Sequence, residues 1–291
     1  MGAAGGCLEP DGEPATATPQ AGSHARLRNV IISPRVISDT KKAGRGVRRV
    51  MVNRRLLLLS NGSELIGDEP TEFARGAVSG FLGAGLRSVL FVPFAAVVRT
   101  YDEYAARVRQ RFAAMGYEVE SIHESEDARA AVERAEAIAV GGGNTFHLLR
   151  GLYEAGVVEA IRTRVESGVP YVGWSAGSNV ACPTIRTTND MPIVEPPSFD
   201  ALGLVPFQIN PHYTDAHIEG HMGETRDERL AEFVHANPGV RVVGLREGTL
   251  LRIEGDDIRL AGGKPARLFL KGEEARDIAP DESFDFLLRR E

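Results

Sequence analysis

From residue 51 onward the sequence predicts an α/β fold: a mostly parallel sheet with helices on both faces and an antiparallel edge toward the C-terminus. Three observations predict it. Short apolar runs of strand length recur with little polar alternation, as expected of strands buried on both faces. Segments with helical spacing lie between them, and this repetition implies parallel strands joined by right-handed crossovers. After residue 245 the rhythm changes to closely spaced runs separated by turn residues, the pattern of antiparallel hairpins.

The first run is Arg55 to Ser60, followed by Ser88 to Pro93, Tyr117 to Ile122, Ala137 to Val140 and Tyr171 to Trp174. Helical spacing marks Thr71 to Leu82, Tyr101 to Met115 and Ala128 to Arg134, and then Thr145 to Ser167 as two helices broken near Gly156. Phe207 to Asn210 and Val240 to Leu245 are further strand-like runs. Thr249 to Glu254, Asp257 to Ala261 and Arg267 to Lys271, parted by Glu254-Gly255-Asp256 and Gly262-Gly263, are expected as hairpins at one edge of the sheet. Residues 51–291 are thus read as one α/β domain. Residues 1–50 differ in kind. Met1 to Ser23 lack periodic apolar residues and read as disordered, and Arg26 to Arg55 holds ten Arg or Lys against the single acid Asp39. Acids at Glu9, Asp11 and Glu13 argue against a transit peptide, so an extension produced by a translation start placed too far upstream is the expectation.

A formal charge of -6 gives no general attraction to nucleic acid or an anionic membrane. No apolar run approaches the ~20 residues of a membrane helix. Cys7 and Cys182 lie in unrelated contexts without metal-ligand spacing, which suits a reducing cytoplasm.

The chemistry concentrates at strand ends, where ligands of such sheets gather. Gly173-Trp174-Ser175-Ala176-Gly177 follows a strand and opens a helix, the pattern of a nucleophile elbow that lifts the serine hydroxyl clear of the sheet. Gly141-Gly142-Gly143-Asn144 occupies another strand end, before a helix. No Lys-Ser or Lys-Thr follows it, so a phosphate loop is disfavoured, and an oxyanion hole fits: the amide of Ala176 with one from the glycine loop, Gly143 being the choice. Serine needs a base. Of seven histidines, His212 follows a strand-like run and Pro211, which places it beside the elbow. His217-x-x-x-His221 has ligand-like spacing, but the glutamate is out of place for H-E-x-x-H and Gly220 weakens a helix, so no metal or other cofactor is expected. A carboxylate should orient the imidazole. Glu247, beyond the strand ending at Leu245, is favoured on position. Asp190 is the rival, in a polar loop where it could instead orient the glycine turn or bind a substrate amine.

Four segments in this order, IAVGGGNTFHLL, YVGWSAGSNVACPTIRTTNDMPIV, INPHYTDAHIEGHMGETRDERLAEF and VVGLREG, resemble the S51 serine peptidases, the family of peptidase E-type α-aspartyl dipeptidases. The resemblance runs from about Met51 to about Lys271. It implies a fold like that of class I glutamine amidotransferases, a single peptidase domain, and hydrolysis of small acidic dipeptides with an amino-terminal aspartate. By motif, Ser175, His212 and Glu247 match the family's triad, and Gly143 and Ala176 its oxyanion donors. Ser178 stands where the family pattern GWSAGAN has alanine. Thr225-Arg226-Asp227-Glu228 is a capping-box pattern that puts Arg226 in a first helical turn, and by resemblance Arg226 holds the aspartyl side chain. Asn144 and Asp190 are further candidates for the substrate's polar ends. A cyanophycinase-like β-aspartyl peptidase, an esterase and a non-catalytic binding module are the alternatives.

Overall fold

The computed structural model describes residues 53–216, 220 and 222–288; the leader read above as an extension lies outside them. The strands are β1 (Arg55–Leu59), β2 (Ser88–Val92), β3 (Glu118–Ser121), β4 (Ile138–Val140), β5 (Tyr171–Trp174), β6 (Gln208–Tyr213), β7 (Val242–Arg246), β8 (Thr249–Glu254), β9 (Asp257–Gly262), β10 (Ala266–Phe269) and β11 (Arg276–Ile278). The helices are α1 (Ser63–Ile66), α2 (Glu72–Leu82), α3 (Tyr101–Ala113), α4 (Ala128–Arg134), α5 (Thr145–Glu154), α6 (Val158–Glu166), α7 (Ala176–Asn179) and α8 (Arg226–Ala236).

The main sheet has the order β3-β2-β4-β5-β1-β8-β9. Its first five strands are parallel, and β8 and β9 add antiparallel strands beyond β1. The period of two explains why these strands read as unbroken apolar runs. Leu56 and Leu58 enter the core shared with Leu148 of α5 and Ile161 of α6, while Leu57 and Leu59 enter the core shared with Val78 of α2 and Val108 of α3. Both faces are covered, so no polar alternation survives. The helix starts are equally local: Thr100 with Glu103 and Thr225 with Glu228 form capping boxes at α3 and α8. The break near Gly156 lies between α5 and α6, with this glycine at φ 66°.

The C-terminal strands do not all join one edge as expected. β8 and β9 do, but β10 leaves to pair antiparallel with β7 in a second, four-stranded sheet of order β11-β10-β7-β6. The ladder is interrupted between β9 and β10 by Gly262 at φ 119° and by Pro265, which has no amide hydrogen to donate. The strands carrying His212 and Glu247 therefore belong to the second sheet, and the chain passes from β7 back into the main sheet as β8 through Glu247 and Gly248. Both sheets contribute to one core: Ile209 and Val243 pack in the same cluster as Leu56 and Val140.

Candidate active site

Ser175 stands at the C-terminal end of β5, the strand flanked by β4 and β1. Its backbone is at φ 54° and ψ -114°, and its amide donates to the Leu59 carbonyl at 3.1 Å. Such a conformation costs a non-glycine residue about 1–3 kcal/mol, so the surroundings must hold it. They do so by close approach: a Cβ on Gly177 would lie 2.1 Å from the Val140 carbonyl oxygen, and one on Gly173 2.5 Å from the Gly177 oxygen. The Ser175 carbonyl accepts the amides of Ser178 and Asn179, which starts α7 at once. Ser178, the departure from the family pattern, is buried, and its single hydroxyl hydrogen is shared between the carbonyls of Leu59 and Gly173, 2.6 and 2.9 Å from Oγ, so the donor is satisfied.

His212 comes to the serine through a bulge. The register of β6 against β7 shifts between Pro211 and Tyr213, and His212, between them, has φ 53°. An inserted residue of this kind re-aims its side chain. Ser60, at the end of β1, holds the turn: its hydroxyl accepts the His212 amide at 3.0 Å and donates to the Leu245 carbonyl at 2.6 Å. Asn189 adds a hydrogen bond to the Pro211 carbonyl at 2.7 Å. The imidazole then spans the site, with Nε2 2.8 Å from Ser175 Oγ and Nδ1 2.7 Å from Glu247 Oε1. The side chains of His212 and Glu247 are 40% and 58% exposed, so their contact orients the ring and adds little to stability. Asp190 is elsewhere. Its Oδ2 accepts from the Thr145 amide and hydroxyl at 2.8 and 2.6 Å and from the Thr188 hydroxyl at 3.0 Å, which ties the polar loop to the start of α5. Of the two candidate carboxylates, Glu247 is the one on the imidazole.

The glycine loop is pinned on both sides. Gly141 and Asn144 donate their amides to the carbonyls of Val92 and Ala95, while among the described residues the Gly143 amide has no acceptor. Gly143 is at φ 141°, and a Cβ there would lie 2.2 Å from the Ala95 oxygen, so only glycine fits. Tyr104 sets the orientation of the peptide before it. The buried phenol accepts from Trp174 Nε1 at 2.9 Å and donates to the Gly142 carbonyl at 3.1 Å. In a trans peptide the carbonyl and the next N–H point in opposite directions, so holding the Gly142 oxygen also aims the Gly143 amide. Burial pushes the Tyr104 hydroxyl up to about 12, partly countered by the Trp174 bond, so it remains a donor at neutral pH. Ala176 is the first residue of α7, where an amide has no intrahelical acceptor. Ser175, His212, Gly142, Gly143, Tyr104 and Trp174 line one cavity of about 420 Å³, to which Asp68, Arg99 and Arg107 also contribute. A second cavity, about 620 Å³, shares only His212 with it and is lined by Glu247, Arg246 and Lys264 among others.

The remaining sequence candidates divide. Arg226 is the first residue of α8, its Nη1 buried and without a hydrogen-bond partner among the described residues, and burial ahead of the nearby Arg229 charge lowers its pKa. Asn144 has a structural part: it caps α5 by accepting the His147 amide at 3.0 Å, and one Nδ2 hydrogen goes to the Met191 carbonyl at 2.8 Å. Asp190 has the comparable anchoring role just described. His217 and His221 lie outside the described residues. Sequence reading missed Tyr104, Ser60 and Arg99. Only Ser60 carried a signal, as the polar residue closing the first strand-like run.

A serine hydroxyl, an imidazole and a carboxylate joined in line, beside unengaged amides at the C-terminal ends of parallel strands, define a hydrolase-type site on a class I glutamine amidotransferase-like fold. The model of peptidase family S51 matches residues 56–261, and the chain belongs to that family and is a peptidase. Peptidase E of Nostoc sp. is 53% identical over 239 residues, 82% of this chain and 98% of its own. The Drosophila melanogaster protein named "Probable alpha-aspartyl dipeptidase" is 49% identical over 243 residues, 82% and 100% of the two chains. Among solved structures, a peptidase from an acI-B1 Actinobacterium shares the fold with a TM-score of 0.58 at 19% identity, covering 80% of this chain and 97% of that one. Among the described residues no helix is long and apolar enough to cross a membrane.

Proposed function

We propose that the protein hydrolyses dipeptides with an amino-terminal aspartate through an acyl-enzyme on Ser175. The observation that carries the proposal is the hydrogen-bonded line from Ser175 Oγ through His212 to Glu247 Oε1. His212 Nε2 takes the hydroxyl proton while Oγ bonds to the aspartyl carbonyl carbon. Glu247 keeps the other ring nitrogen protonated and balances the imidazolium. The electron pair displaced from the carbonyl rests on oxygen, facing the amides of Gly143 and Ala176; one such donor is worth about 10²- to 10³-fold in rate. Collapse re-forms the carbonyl and breaks the C–N bond, and the leaving amine takes the proton from His212. Water repeats the sequence on the ester and releases aspartate.

The name of the Drosophila relative supports the substrate class. So does Arg226, whose buried, unpartnered nitrogen suits the β-carboxylate of aspartate. No metal, nucleic acid or membrane takes part in this reading, and Cys182, a free buried thiol, suits a reducing cytoplasm.

A peptide panel tests it. The protein should cleave Asp-Leu well above Asn-Leu, Ala-Leu and β-Asp-Arg, with no loss in EDTA. Ser175→Ala should abolish turnover, and Arg226→Met should bring Asp-Leu down to the level of Asn-Leu. Preference for β-Asp-Arg, or full activity in Ser175→Ala, would overturn the proposal.

A further inference from the structure

A dipeptide Asp-X carries a second carboxylate, that of its C-terminal residue, and the cavity holding Ser175 contains a cation with no carboxylate partner among the described residues. Its lining includes two arginines. Arg107 is already paired, its Nη1 lying 3.1 Å from Asp68 Oδ1. Arg99 is exposed and, among the described residues, has neither a carboxylate nor a hydrogen-bond partner. Its one defined contact is the face of Tyr104, with Cζ 5.0 Å from the ring centroid.

That contact fixes where the charge stands. The Tyr104 ring is buried and tied by its hydroxyl to Trp174, the residue before the serine, and to Gly142, in the loop beside it. A guanidinium held over this ring stands in the same cavity as Ser175, and its N–H edge has no hydrogen-bond partner among the described residues. Such an edge matches a carboxylate bidentately. With Arg107 paired to Asp68, Arg99 is, among the described residues, the unpaired one of the two arginines lining this cavity.

We infer that Arg99 binds the C-terminal carboxylate of the leaving amino acid and so confines the enzyme to dipeptides. The inference rests on the proposed dipeptidase activity, with Arg226 reading the β-carboxylate. A tripeptide or a dipeptide amide places a neutral amide where the guanidinium requires an anion, which leaves the charge without its partner.

The test compares kcat/KM for Asp-Leu, Asp-Leu amide and Asn-Leu in the wild type, Arg99→Met and Arg99→Lys. The wild type should favour Asp-Leu over its amide by about 10- to 100-fold, the range expected of hydrogen bonds between charged groups. In Arg99→Met this acid-to-amide ratio should fall to within about threefold, while the ratio of Asp-Leu to Asn-Leu is retained. Arg99→Lys, which keeps the charge but not the planar fork, should give an intermediate ratio and guards against an effect on folding. An unchanged acid-to-amide ratio in Arg99→Met overturns the inference. Collapse of the Asp-to-Asn ratio instead overturns it in favour of Arg99 reading the β-carboxylate. Absence of wild-type cleavage of both Asp-Leu and its amide would remove the dipeptidase function itself, and the inference with it.

Discussion

Among the described residues two that are not glycine, Ser175 at φ 54° and His212 at φ 53°, occupy the left-handed half of backbone space, and they face each other across a 2.8 Å hydrogen bond. Strain of this kind persists only where neighbours over-determine the conformation. At Ser175 the neighbours are glycines in backbone contact; at His212 they are the Ser60 hydroxyl and the bulge. Tyr104 acts one step away, as a positioning residue for the Gly143 amide. Tyr104→Phe removes the bond that orients the Gly142–Gly143 peptide and leaves Trp174 Nε1 buried without an acceptor. Turnover should fall about tenfold or more with KM changed less than about threefold, because the donor matters most when charge develops on the carbonyl oxygen. Steady-state kinetics check this. Equal changes in kcat and KM, or none, would remove Tyr104 from the orienting role. The unsatisfied indole should also cost about 1–3 kcal/mol, measurable by thermal or denaturant unfolding.

At the scale of elements, the site is a junction between two sheets. β5 supplies the serine from the main sheet, β6 supplies the histidine from the second, and Glu247 sits in the turn from β7 to β8 that joins them. Ser60, closing β1, is the clasp: its amide donates to the Thr249 carbonyl at 3.0 Å, and its hydroxyl links His212 and Leu245. Ser60→Ala keeps the packing and deletes both side-chain bonds in a fully buried position. Unfolding free energy should fall by about 1–3 kcal/mol, and kcat should fall by about tenfold as the His212 turn relaxes, since small misplacement of a catalytic group is costly. Wild-type kcat in this variant would show that the bulge alone positions the histidine. The elements themselves were largely legible: the main-sheet strands, the two helices parted at Gly156 and the capping box at Thr225 all follow from patterns a few residues long. The departure of β10 to the second sheet was not, because Arg267 to Lys271 fits an antiparallel neighbour in either sheet equally well.

Across the whole molecule, several buried acids retain their protons far above the usual range. Burial pushes the Cys182 thiol from 9.0 to about 12, against the Ile209 amide that favours its ionised form. Burial likewise pushes Tyr104 from 10.0 to about 12 and raises Tyr171 well above its ordinary value. For each group the unfolded chain gives up its proton at lower pH than the folded one. The stability these groups contribute is complete below pH 9 and declines as pH rises past 9 for Cys182 and past 10 for the tyrosines; for Cys182 and Tyr104 it is lost through about 12. Calorimetric melts should therefore shift steadily downward above pH 9. Cys182→Ala should flatten the portion between pH 9 and 10, and an identical slope in the variant would show that burial does not raise this thiol above its unfolded value.

By itself the sequence determined what is local: a sheet of two-sided apolar strands, a serine at a glycine-flanked strand end, a glycine loop before a helix, and family motifs that named the histidine and glutamate. The tertiary structure alone decided which carboxylate meets the imidazole, that Asn144 and Asp190 anchor α5, and that Tyr104, Ser60 and Arg99 belong to the site. The reason is one of range. Backbone preference and side-chain period act over a few residues, whereas a hydrogen bond such as Ser60 to His212 joins positions 152 residues apart and exists only once two sheets have packed.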